Sequence, residues 1–206
     1  MNKLISSQLL IFFKNPILGK VKSRIAKTEG EKAALRIYLD LLKKCRQEAL
    51  KVNAERHLFY ADYIPEMDDW SLADFHKFLQ IPTGSLGDKM KQAFSISLKN
   101  QLVKTVIIGS DCYDLSAEII ESAFLSLDKN DVVIGPANDG GYYLLGMKRF
   151  HPALFEGIDW STERVLSQTI EKAKRENLDF ALLEELIDLD TIEDVKKSSY
   201  PYPFEK

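Results

Sequence analysis

Apolar and polar positions along this chain alternate between a strand-like and a helix-like period, which predicts a succession of strands and helices. Residues 8–13 are a short apolar run ending in a polar, glycine-bearing loop, the pattern of a buried strand. After the loop 14–27, apolar residues return at helical spacing from about 29 to 51, with Ala34, Tyr38, Leu41, Leu42, Cys45 and Ala49 as one stripe. Thr28 and Glu31 have capping-box spacing at its start. Residues 56–61 read as a second strand, and a polar stretch around 65–70 leads to a short helix. A loop with Pro82, Gly84 and Gly87 follows near 80–88, then a helix from about 89 to 100.

Residues 103–109 are the most strand-like segment, followed by a helix at roughly 117–127 with Ser116 as N-cap. Residues 131–135 and 142–146 read as strands on either side of the loop 136–141. Ser161 or Thr162 caps a helix over 163–175, 178–183 is a last strand, and a short helix runs to about Lys197. No internal repeat, low-complexity tract or linker interrupts the series. Strands that alternate with helices predict an α/β fold on a mostly parallel sheet, and such sheets bind ligands outside the carboxyl ends of their strands.

Length and composition narrow this picture. The 206 residues suit a single domain over 1–206, and 45% hydrophobic residues supply a full core. With 28 Lys and Arg against 31 Asp and Glu, the net charge of -3 gives no reason to expect a nucleic-acid partner. The two cysteines, Cys45 and Cys112, offer neither a disulfide framework nor zinc spacing. Residues 1–7 are too polar and short for a signal peptide, and no apolar run reaches membrane-spanning length. A cytoplasmic protein without membrane insertion is the expectation. His57, His76 and His151 stand in unrelated contexts and receive no role.

Candidate chemistry lies in the segments after the strands. Between Lys14 and Lys27 there are five basic residues and no acidic one, with Pro16 and Gly19 shaping the turn. Several fixed donors that converge on one anion suit a di- or triphosphate. The alternative is a solvated basic loop; its position after the first strand favours phosphate. The glycine pattern is neither that of a Walker A loop nor that of a dinucleotide fingerprint.

After the central strand, Gly109-Ser110-Asp111 places a carboxylate beside small residues. Magnesium takes one or two such carboxylates plus phosphate oxygens. Asp111 or Asp114 could instead simply turn the chain into the next helix. Near the end, six acidic residues stand between Glu184 and Asp194 with no basic one. Asp188 and Asp190 project the same way from an extended segment and could complete a metal site with Asp111, although Asp190 with Glu193 also reads as a helix N-cap. Asp139-Gly140-Gly141 allows close backbone approach to a ligand or makes a plain hairpin turn. Gly87 and Asp88 stand where free N–H groups at a helix start could meet a nucleotide, or where Asp88 is only a cap.

Together these segments resemble a known family. Lys14, Pro16, Gly19, Lys22 and Arg24 match its K-x-P-x-x-G-x-x-K-x-R loop. GSLGDKMKQAF (84–94), GSD (109–111), GPANDGGYYLLG (135–146), FEGIDWSTERV (155–165) and DLDTIEDV (188–195) match its later motifs, so the likeness covers nearly the whole chain. It is a family of bacterial glycosyltransferase-like proteins, formerly classed as a domain of unknown function, some of whose members are named for arsenosugar biosynthesis. It belongs to the nucleotide-diphospho-sugar transferase superfamily. The resemblance implies a GT-A-like fold, three-layer α/β/α with a mostly parallel central sheet, and a metal-dependent nucleotide or nucleotide-sugar site. More distantly, the chain resembles phospholactate guanylyltransferases, which share the basic K-x-R loop and the final Asp-x-Asp-Thr.

Two departures from a typical GT-A glycosyltransferase bear on the reaction: Ser110-Asp111-Cys112 replaces Asp-x-Asp, and the first loop is unusually basic. Both look more like a nucleotidyltransferase. Three expectations follow. The first is glycosyl transfer from a nucleotide sugar to a small acceptor. Here Asp111, Asp188 and Asp190 hold Mg²⁺ or Mn²⁺, Lys14, Gly19, Lys22, Arg24, Gly87 and Asp88 hold nucleotide and phosphate, and Asp139, Gly140 and Gly141 meet the acceptor or sugar. The second is nucleotidyl transfer from an NTP to a phosphorylated acceptor, with Lys14, Lys22 and Arg24 stabilising charge on the triphosphate in the transition state. The third is a nucleotide-binding module without catalysis. The residues leave the oligomeric state open.

Overall fold

The computed structural model describes residues 7–99 and 103–202. The expectation for residues 1–6 and the last residue of the helix predicted over 89–100 lie outside them. The strands are β1 (Ser7–Phe13), β2 (Glu55–Tyr60), β3 (His76–Leu79), β4 (Lys104–Ile108), β5 (Val132–Pro136), β6 (Tyr142–Met147) and β7 (Phe180–Leu182). They join one sheet in the order β3-β2-β1-β4-β6-β5-β7. β6 runs antiparallel to β4 and β5, while β1 with β2, β1 with β4, β2 with β3 and β5 with β7 are parallel.

Residues that alternate along a strand enter opposite faces, so β1 feeds two cores. Leu9, Ile11 and Phe13 join one; Leu10 and Phe12 join the other. The first is covered by α1 (Ser23–Glu29), α2 (Glu31–Lys51), α4 (Ala117–Ser126) and α6 (Ile192–Lys197). The second lies under α3 (Leu86–Ser97), α5 (Val165–Arg175) and a 3-10 turn, Pro152–Phe155. Cover on both faces is what makes the central strands nearly continuous apolar runs. The result is the expected three-layer α/β/α arrangement. No helix among the described residues is long and apolar enough to cross a membrane.

Several local expectations are corrected. The helix predicted over about 29–51 is α2, which starts just after Gly30, whose φ of 84° suits glycine; α1, however, occupies the end of the segment read as a loop. The Thr28 hydroxyl donates to the Ile25 carbonyl, so no capping box forms with Glu31. The helix expected after 65–70 is a turn, and the short edge strand β3 follows instead; four mostly exposed residues give it almost no periodic signal. α3 starts at Leu86 because Ser85 is the N-cap and Asp88 completes its capping box. Neither Ser161 nor Thr162 caps α5, whose N-cap is Arg164. α6 is capped by Thr191 with Asp194, so Asp190 is not the cap. Ser116 does cap α4, accepting from the Ile119 N–H.

One buried charge ties two helices of the first layer together. The Glu48 side chain, on the inner face of α2, is 6% exposed and accepts from Lys44 at 2.7 Å, Lys51 at 2.9 Å and the Ala117 N–H at 3.1 Å. It thereby fixes the first turn of α4, directly after the segment that carries Asp111. Burial would raise its pKa, but the hydrogen bonds from the two lysines and the backbone prevail and hold it at about 2. A depressed folded pKa contributes stability above the unfolded value of about 4.3, and that stability is lost as pH falls through the folded value. Glu48→Gln is therefore expected to lower unfolding free energy by about 1–3 kcal/mol at pH 7, a deficit that shrinks from pH 4 towards pH 2. Urea melts of both proteins across that range check it; a deficit independent of pH assigns the effect to packing instead.

Candidate active site

The strand order reverses between β1 and β4: the chain leaves β1 towards β2 on one side, and β4 pairs on the other. Ligands of open α/β sheets bind outside the carboxyl ends of strands at such a switch point. The loop after β1 delivers Lys22 there, and the segment after β4 delivers Asp111. Lys22 Nζ lies 2.6 Å from Asp111 Oδ1 and 3.8 Å from Asp188 Oδ1. Of the sequence candidates, these three meet side chain to side chain around the buried Lys22 ammonium.

Each member is positioned by main chain. Lys22 has φ 48° and ψ 48°, a left-handed conformation that disfavours residues with a Cβ and aims its side chain inward, where it is only 5% exposed. The loop is anchored at its start by Tyr38 of α2, whose hydroxyl accepts from the Lys14 N–H and donates to the Lys14 carbonyl, both at 2.9 Å. Asn15, buried beside it, accepts from the Asp62 N–H and donates to the Tyr63 carbonyl. Asp188 arrives after a parallel bridge between Ala137 and Leu186. Its N–H donates to Asn138 Oδ1 at 2.9 Å, and the next N–H, Leu189, donates to the Asp111 carbonyl at 3.0 Å. These last two bonds join the acidic tail to the ends of β4 and β5.

The electrostatics are unbalanced. Asp111 Oδ1 and Asp188 Oδ1 are buried and lack a hydrogen bond of good geometry, so the nearby ammonium is the main compensation for two carboxylates. Burial drives the Asp188 pKa up, to about 7, with Asp111 adding and Lys22 opposing. Burial pulls Lys22 down, but Asp111 and Asp188 outweigh it and leave its pKa above the ordinary value. Burial pushes the Cys112 thiol well up, and the two aspartates add to this, which favours the neutral thiol. Gly109 has nothing within 4 Å of where a Cβ would stand, leaving open space beside Asp111.

The remaining candidates take other positions. Arg24 reaches Asp190 at 2.9 Å across the exposed rim, an ion pair outside the buried cluster. Asp139 accepts from the Gly141 N–H in the tight β5–β6 turn and adds to the negative charge that Asp188 feels. Gly140 has φ 85°, and a Cβ there would stand 2.2 Å from the Glu163 carbonyl oxygen; its lack of a side chain serves the packing of α5's start. A Cβ on Gly87 would likewise stand 2.0 Å from the Trp160 ring, and Asp88 is occupied with Ser85. The sequence reading missed Tyr38, Asn15 and Asn138. Tyr38 had been read only as a stripe residue, and nothing in the local pattern marks the other two.

Because the pocket carries more negative charge than Lys22 offsets, its two aspartates are expected to differ. In chelator, Asp188→Asn removes an undercompensated buried charge and is expected to raise stability by about 1–3 kcal/mol at pH 7.5. Asp111→Asn takes away the 2.6 Å partner of buried Lys22 and is expected to lower it by a similar amount. Paired thermal melts decide; shifts of the same sign for both variants contradict this picture.

Residues 42–162 match the family described as "Uncharacterized protein conserved in bacteria (DUF2064)". Among solved structures, a protein of Desulfovibrio desulfuricans G20, assigned to the nucleotide-diphospho-sugar transferases, is 31% identical with a TM-score of 0.85, over 93% of this chain and 85% of that one. The inositol-1-phosphate CTP transferase of T. maritima shares the fold at 11% identity and a TM-score of 0.60, over 92% of this chain and 91% of its own. So does a Mycobacterium tuberculosis H37Rv protein, Rv0371c, in complex with manganese, at 9% identity and a TM-score of 0.54, over 93% and 97%. Comparison with curated proteins found no match. The fold is that of the nucleotide-diphospho-sugar transferases, its neighbours are transferases, and the chain belongs to the bacterial DUF2064 family.

Proposed function

We propose that this protein is a metal-dependent transferase that uses a nucleotide-activated donor, with a nucleotide sugar as donor and a small molecule as acceptor. The observation that carries the proposal is the pair of buried, undercompensated oxygens, Asp111 Oδ1 and Asp188 Oδ1, around Lys22 at the switch point of the sheet. Two carboxylates with spare lone pairs fit magnesium or manganese, which take one or two carboxylates together with phosphate oxygens. Asp111 and Asp188 would hold that ion, which supplies a Lewis acid for the charge of a departing diphosphate. The manganese complex of the Mycobacterium tuberculosis protein supports a metal in this fold.

The chain's own residues do the rest. Lys22, held inward by its left-handed backbone, places an ammonium beside the two carboxylates and contacts the donor's phosphate oxygens. Arg24 at the rim binds the same diphosphate when it leaves Asp190. Lys14, Lys20 and Lys27 add positive potential along the same loop, which draws an anionic donor towards the site. The open space beside Gly109 admits the donor, and Asp139 orients the acceptor or sugar from the β5–β6 turn. Asp190, outside the buried cluster, serves as the partner of Arg24 before the donor arrives.

Nucleotidyl transfer is the second reading. It is favoured by the single aspartate at the end of β4 and by the concentration of cations on the loop after β1. The fold shared with a CTP transferase supports the same reading. The products separate the two. Incubation with nucleotide sugars or NTPs, Mn²⁺ and candidate acceptors releases a nucleoside diphosphate in the first reaction and pyrophosphate in the second. Binding without either product leaves a nucleotide-binding module.

Two variants test the site itself. Asp111→Asn is expected to cost at least tenfold in Mn²⁺-dependent binding of a nucleotide diphosphate by isothermal titration, with the fold retained by circular dichroism. Equal affinity removes Asp111 from the metal site. Arg24→Ala is expected to weaken nucleotide diphosphate binding by roughly ten- to a hundredfold, since a charge-assisted hydrogen bond contributes about 1.5–3 kcal/mol. Nucleoside binding should change little; if both fall equally, the loop does not read phosphate.

A further inference from the structure

At the opposite, amino-terminal end of the sheet, the parallel register sets His57 of β2 beside His76 of β3. Glu55 stands two residues before His57 and so projects from the same face. Glu55 Oε1 lies 2.9 Å from His57 Nε2 and 3.4 Å from His76 Nε2, and the three donor atoms all fall within 4.8 Å of one another. Four ligands at zinc–nitrogen and zinc–oxygen distances around a tetrahedral ion are separated by about 3.3 Å. The three side chains therefore need only small rotations to close on one ion. We propose that Glu55, His57 and His76 bind a divalent cation of the zinc class, with three protein donors and one open coordination position.

The arrangement is built rather than incidental. Sheet hydrogen bonding fixes the spacing of the two histidines. The His57 ring packs at 5.1 Å from Phe78, which in turn stacks on Phe59 at 5.3 Å, so the imidazole is held in orientation. His57 is 12% exposed and Glu55 26%, whereas His76, 62% exposed, leaves one side of the cluster open. Beside it lies a groove lined by Gln8, His57, Phe59, Phe78, Ile96 and Lys99. Gln8 Oε1, on that groove, is buried without a hydrogen-bond partner.

Donor chemistry separates this site from the one at the carboxyl ends. Two imidazoles and one carboxylate suit zinc-class ions, whereas Asp111 and Asp188 present oxygen alone and suit magnesium or manganese. The ion would clip β3, the edge strand with one neighbour among the described residues, to β2.

The test uses the full chain, stripped with chelator and titrated with Zn²⁺ alone, followed by thermal melting and isothermal titration. At about 100 times the dissociation constant, Zn²⁺ should raise the melting temperature by roughly 5–10 °C. The rise should persist in Asp188→Asn, and Mg²⁺ should not reproduce it. His76→Ala, a change at a mostly exposed side chain, should fold as the parent does and lose at least tenfold in Zn²⁺ affinity; Glu55→Gln should lose affinity as well. Co²⁺ should give a visible ligand-field band that His76→Ala abolishes. The proposal is overturned if the parent shows no Zn²⁺-dependent rise, if His76→Ala keeps it, or if Asp188→Asn loses it.

Discussion

A buried lysine ammonium facing two carboxylates is the constraint around which the carboxyl end of this sheet is arranged. Lys22 compensates Asp111 at 2.6 Å and Asp188 at 3.8 Å, but one positive charge does not offset two negative ones. The excess is visible as the raised pKa of Asp188 and as the two carboxylate oxygens without good hydrogen bonds. Undercompensated charge of this kind costs stability, and folds keep it where it is used. The left-handed backbone at Lys22 belongs to the same arrangement: a strained residue keeps its ammonium turned inward.

The rest of the fold holds these three groups in place. Tyr38 of α2 clamps both polar groups of the Lys14 main chain, which starts the loop at a fixed point. Glu48 on the same helix fixes the start of α4 and thereby the segment between Asp111 and Ser116. From the other side, the Leu189 N–H bonds the Asp111 carbonyl, and Asn138 bonds the main chain of Asp188. The site is therefore supported by main-chain and buried contacts from four parts of the chain, not by a single motif. An exposed pair such as Arg24–Asp190 contributes little stability by comparison and is free to exchange partners.

The two ends of the sheet carry different donor sets. Strand ends that face the switch point carry carboxylates and cations, suited to a hard metal and phosphate. The start of β2 and the start of the edge strand β3 bring two imidazoles and a carboxylate together by register. The shared sheet keeps these two donor sets at opposite ends.

Much of this protein was legible in its residues taken in order. The alternation of periods identified β1, β2, β4, β5, β6 and β7 to within a few residues, because strands covered on both faces must be apolar throughout and helices must be apolar on one side. The motifs around Lys22, Asp111 and Asp188 stood out because small residues and charges directly after apolar runs mark strand mouths. Tertiary structure decided the rest. α1 formed inside the segment read as a loop, Gly30 rather than Thr28 stands at the start of α2, and Thr191 rather than Asp190 capped the last helix. Gly87 and Gly140 also leave room for Trp160 and Glu163, contacts that lie far along the chain. The edge strand β3 had too few buried positions to show a period, so the pairing of His57 with His76 stayed hidden. Periodicity reports which side of an element is buried, whereas register and the partner of each charge are set by elements distant in sequence.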